Sequence, residues 1–123
     1  MYYLHDSVVS WLRYSAKDEQ LVIQIELSNW MQAWFMDGDQ EQIPGRLIFS
    51  GVRQVESNLD LKTFAESREY LSGRVLDADY VPDNDRDELE AGKITVSWFD
   101  HRSQTEKIMI IEFLAANVEW NPC

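Results

Sequence analysis

Three adjacent residues near the start, His5, Asp6 and Ser7, are the types from which hydrolases build a base, an acid and a nucleophile. A working triad needs the three side chains to converge, with the hydroxyl on the imidazole and the carboxylate behind it. Neighbours in an extended chain point in alternate directions, and no Gly-x-Ser-x-Gly turn presents a serine elsewhere. The three residues read instead as a turn, with Asp6 or Ser7 bonding nearby backbone amides and His5 satisfying a polar group at a sheet edge. No catalytic residue is assigned.

Metal chemistry has little to build on. The two histidines, His5 and His101, are far apart in sequence, and Cys123 is the single cysteine, so it forms neither an internal disulfide nor a zinc site alone. Asp83, Asp85 and Asp87 have the spacing of the first ligands of an EF-hand. However, Glu88 stands where the loop needs glycine and Ile94 where it needs a bidentate glutamate. No glycine-rich phosphate cradle is present. The expectation is no metal and no cofactor.

Binding is better supported than chemistry. The chain has a net charge of −11, and Asp77–Glu90 carries seven acids against Arg86 alone, a net −6. Such a surface repels nucleic acid and anionic membranes, and it attracts and steers a basic protein partner. The aromatic residues Trp30, Trp34 and Phe35 and the carboxylates Asp83, Asp85 and Asp87 are the candidate partner-binding residues. The same Trp30–Phe35 run would serve a homodimer.

The elements that must position these groups are strands. In QLVIQIELS, Leu21, Ile23, Ile25 and Leu27 alternate with polar residues, the period of a half-buried strand. SVVSWLRYS precedes it across the short polar link AKDEQ, which predicts an antiparallel hairpin with Val9 and Trp11 on one face and Val8, Leu12 and Tyr14 on the other. GRLIFSGV, with Gly51 marking a bulge, and KITVSWFD follow as strands. TEKIMIIEF is apolar on both faces and reads as a central strand covered on both sides. AANVEW is a last strand or its continuation, and REYLSGRVLDADYV is a weaker strand. SNLDLKTFAES carries a capping-box-like Ser57 and Asp60 and predicts one short helix over residues 58–67. NWMQAWFM fits a helical stripe or a continued strand.

The expected fold is one mainly β domain over residues 1–123, an antiparallel sheet or sandwich of six or seven strands. Its expected core includes Leu21, Ile23, Ile25, Leu47, Phe49, Ile94, Val96, Ile108 and Ile110. No apolar run reaches the ~18–20 residues of a membrane span, and no basic region precedes an apolar one at the N-terminus, so a cytoplasmic location is expected.

The segments LHDSVVSWLRY, LVIQIEL, LIFSGVRQVE and IMIIEFLAANVEW, in that order, resemble a group of small bacterial proteins that includes immunity proteins of polymorphic toxin systems, the family numbered fifty. In that group a His-Asp pair opens the first strand, here His5-Asp6, and an L-x-F-x-G-V strand lies near the middle, here Leu47, Phe49, Gly51 and Val52. The resemblance covers most of the chain and implies an antiparallel β domain that neutralises a toxin by binding it. The acidic stretch has no counterpart in that pattern, and no site residue carries over. The competing expectation is a small-ligand-binding domain or enzyme, for which a deep apolar pocket with convergent polar groups would speak.

Overall fold

A computed structural model describes residues 4–28, 32, 36–38, 40–66, 69–80 and 90–122. Eight strands run β1 Val8–Ser15, β2 Gln20–Ser28, β3 Gln42–Ser50, β4 Arg53–Ser57, β5 Leu71–Tyr80, β6 Glu90–Asp100, β7 Thr105–Ala115 and β8 Asn117–Pro122. They form one antiparallel sheet in the order β4-β7-β6-β5-β1-β2-β3-β8. The mainly β fold expected from alternation is therefore present, with more strands than the six or seven predicted.

The extra strands come from two breaks. β3 gives way to β4 at Gly51, whose φ of 65° is open to glycine at little cost, and β7 gives way to β8 at Ala116. Gly51 is thus a break between strands rather than a bulge inside one. Each segment after a break pairs across the other: Ser50 lies opposite Asn117, and Arg53 lies opposite Leu114. The chain therefore builds two meanders, β1–β2–β3 and β5–β6–β7, and each lends its end strand to the other. β4 lies on β7 and β8 lies on β3. A short β1–β5 pairing at Val8 and Val9 joins the meanders a second time, so the sheet rolls over on itself.

Its interior is one apolar cluster. Leu12, Leu21, Ile23, Ile25, Leu47 and Phe49 from the first half meet Val75, Ile94, Val96, Trp98, Met109, Ile111 and Phe113 from the second. The Phe49 and Phe113 rings meet edge to face at 4.8 Å. Gly92 lies opposite Phe113, and a Cβ there would sit 2.6 Å from the ring, so the bare backbone is what lets that ring lie flat on β6.

Three expectations are corrected. Ile108 and Ile110 are outward and exposed, whereas Met109 and Ile111 are buried. The reason is register. Met109 pairs with Val96 and Ile111 with Ile94, and residues directly opposite share a face. β7 is therefore covered on one side only. In β1 a bulge between Val9 and Trp11 turns Leu12 inward with Val9 and leaves Trp11 outward, opposite Gln24. Among the described residues of the expected helix over 58–67 there is no α-helix, only a four-residue 3-10 turn, Leu61–Phe64. Its cap is Asp60, whose carboxylate accepts from the Lys62 amide at 3.0 Å, while Ser57 Oγ accepts from the Leu59 amide. Phe64 anchors the turn by stacking on Trp98 at 4.6 Å, which leaves a one-turn plug with no apolar stripe to extend it.

Candidate interaction surfaces

The His5-Asp6-Ser7 corner is held by separate partners. Ser7 is buried and its Oγ accepts from the Ser28 amide at 3.1 Å. Asp6 adopts φ 63° and its amide donates to the Val75 carbonyl. The bulge between Val75 and Asp77 takes Leu76 out of the β5–β6 register. His5 Nδ1 donates to the Leu76 carbonyl at 2.9 Å, since a carbonyl only accepts, while Nε2 lies 3.5 Å from Asp6 Oδ2. The serine and imidazole thus face different strands, and the corner ties β1 to β5.

A serine–histidine contact does exist elsewhere. Ser72 Oγ lies 2.8 Å from His101 Nε2, joining the start of β5 to the turn after β6, and the imidazole packs edge-on to Phe99 at 4.8 Å. Adjacency in sequence could not reveal it, because the register of β5 on β6 makes the pair. Both side chains are exposed, and among the described residues no carboxylate orients the ring, so the contact works as an interstrand tie. Beside it, Asp100 accepts from the amides of Arg102 and Ser103 at 2.9 and 3.3 Å. Burial raises its pKa, but these amides and the Arg102 guanidinium at 3.7 Å outweigh that and leave it lowered.

The largest departure from expectation is the outer face of β5, β6 and β7. Its rows place Ser72, Arg74 and Asp77 beside Phe99, Ser97 and Thr95, and those beside Glu106, Ile108 and Ile110, with Leu76 at the bulge. Leu76, Phe99, Ile108 and Ile110 are each 36–39% exposed. A shallow groove of about 470 Å³ lies along β5, lined by Val8 of β1, Arg74 and Leu76 of β5, Ser97 and Phe99 of β6 and Glu106 of β7 among others. Carboxylates border the face: Asp77 on β5, Glu106 and Glu112 on β7, and Glu56 on β4 opposite Glu112. Lys93 stands 3.8 Å from Glu112. The polar Glu112 between Ile111 and Phe113 was the signal in the sequence that fixes which face of β7 is outward.

The outer face of β1, β2 and β3 is built differently. Trp11, Val22, Gln24 and Ile48 are half-buried there. Arg13 and Arg46 lie over the Trp11 ring, 4.7 and 5.4 Å from its centroid, and Arg46 donates to Gln24 Oε1 at 3.1 Å.

Of the residues singled out for partner binding, Trp30, Trp34, Phe35, Asp83, Asp85 and Asp87 all lie outside the described residues. Among the described residues no group of three or more His, Cys, Asp or Glu could hold a metal ion, and no helix is long and apolar enough to cross a membrane. Comparison with protein-family models, curated proteins and solved structures finds no match for this chain.

Proposed function

We propose that this chain is a non-catalytic, cytoplasmic binding protein that docks a basic protein on the outer face of β5–β6–β7, in the manner of an immunity protein that neutralises a toxin. The observation that carries the reading is the uncovered apolar strip Leu76, Phe99, Ile108 and Ile110. Isolated exposed apolar residues are ordinary, but four on one sheet face, two of them lining a groove and all bordered by polar groups, are the pattern of an interaction surface. The net charge of −11 supplies the complementarity, and the acidic stretch Asp77–Glu90 belongs to the same half of the sheet, starting on β5 and ending on β6. Apolar contact would set the lifetime of the complex, and charge its rate of formation.

Co-expression with the basic product of a neighbouring gene tests the reading. The parent chain relieves growth inhibition and co-purifies with that product. Ile108→Asp with Ile110→Asp abolishes both and leaves the melting temperature within a few degrees. Asp83→Asn, Asp85→Asn and Asp87→Asn together slow association at low salt and change it little at high salt. Binding that survives the double Asp variant removes the face from the reading. Self-association of the parent, lost in that variant, replaces it with a homodimer.

A further inference from the structure

The end of the rolled sheet next to the 3-10 turn holds a second depression, about 310 Å³, between β1 and the turn. Its apolar lining is Tyr14, Leu59, Leu61 and Ala65, half-buried residues of which the first three pack onto the core. Arg13 and Lys62 supply positive charge. The size is at the lower end of small-molecule sites, roughly 300 Å³.

Arg13 is held in place before any ligand arrives. It donates to the Ala65 carbonyl at 3.0 Å and lies against Trp11, so its guanidinium has two anchors and keeps further N–H groups to offer. Arg46, over the same indole, adds a second positive charge nearby. In a chain with 22 acids against 11 bases, Arg53 pairs with Glu19 and Arg102 with Asp100. Arg13, Arg46 and Lys62 make no ion pair among the described residues. The one carboxylate in the lining, Asp60, is turned to the Lys62 amide of its own turn.

We propose that this depression binds a small amphipathic anion: an apolar body against Leu59, Leu61 and Tyr14, and a carboxylate or phosphate head on Arg13 and Lys62. A planar guanidinium anchored at one edge offers the paired donors that such oxygens accept. The site is separate from the face proposed for the protein partner and does not depend on it.

Calorimetric titration with phenyl phosphate and with benzoate, at constant ionic strength in chloride, tests the assignment. At least one of them binds saturably with one site per chain, and the tighter of the two identifies the preferred head group. Inorganic phosphate and benzyl alcohol, each carrying half of the recognition, bind at least about tenfold more weakly. Arg13→Gln weakens the aryl anion at least about tenfold, the scale of a lost hydrogen bond to a charged group. Lys62→Gln, at an exposed side chain, weakens it less and serves alone if the Arg13 variant does not fold. No saturable binding by either aryl anion overturns the proposal. So does inorganic phosphate binding as tightly as phenyl phosphate, or unchanged affinity in both variants.

Discussion

The two outer faces of the rolled sheet start from similar material and end differently. On the β1–β2–β3 side the outward apolar residues Trp11, Val22 and Ile48 are half-buried, and the long side chains of Arg13 and Arg46 lie across the largest of them. On the β5–β6–β7 side Ile108 and Ile110 stand beside Ser97 and Thr95, whose side chains are too short to cover them. Alkyl stems and guanidinium planes shield apolar surface while keeping charge in water. The difference lies in the neighbours supplied by the adjacent strand. Outward apolar residues alone do not make a docking face; the absence of a cover does.

Four measurements bear on that contrast. The largest effect separates two adjacent residues of β7. Ile111→Ala lowers unfolding free energy by about 2–5 kcal/mol, because a fully buried isoleucine leaves a cavity. Ile110→Ala, one position earlier, costs about 1 kcal/mol, since that side chain is partly covered and sits on a strand. Equal losses in urea denaturation would mean that the strip is covered. Gly92→Ala comes next: its Cβ meets Phe113, and overpacking costs about 1–3 kcal/mol by the same assay. On the other face, Arg46→Ala uncovers one side of Trp11 and costs about 0.5–1 kcal/mol, with a change in indole fluorescence.

The smallest effect is at Asp100, whose lowered pKa sets its sign. A carboxylate that titrates lower in the folded than in the unfolded chain contributes stability above its ordinary value of 3.8. That contribution is lost as pH falls through the folded value. Carboxyl chemical shifts followed through an acid titration place the Asp100 midpoint below 3.8, and Asp100→Asn flattens that part of the stability profile.

Much of this architecture was legible where alternation was clean. Leu21, Ile23 and Ile25 alternate with polar residues, and so do Ile94, Val96 and Trp98 with Thr95 and Ser97, and all six are buried. Legibility failed over Ile108 to Ile111, where both phases are apolar and the face is chosen by Glu112 just beyond and by pairing with β6. It failed again at the β1 bulge, because one inserted residue inverts every side chain after it. The surfaces were less legible still. The groove and the Ser72–His101 contact depend on which strands become neighbours, and Arg13 meets Ala65 from fifty-two positions away. Composition could announce acidity, but it could not show that two arginines would gather on one indole.

The exchange of end strands between the meanders has a consequence for a severed chain. A cut after Glu66 leaves one piece with β1 to β4 and another with β5 to β8. Each piece keeps a whole meander with its local hairpins, together with an arm whose partner strand is on the other piece. Neither can complete its ladder alone, because β4 needs β7 and β8 needs β3. The pieces are therefore built for complementation. Mixing them is expected to restore the intact sheet at a rate that rises with concentration, as a bimolecular step must.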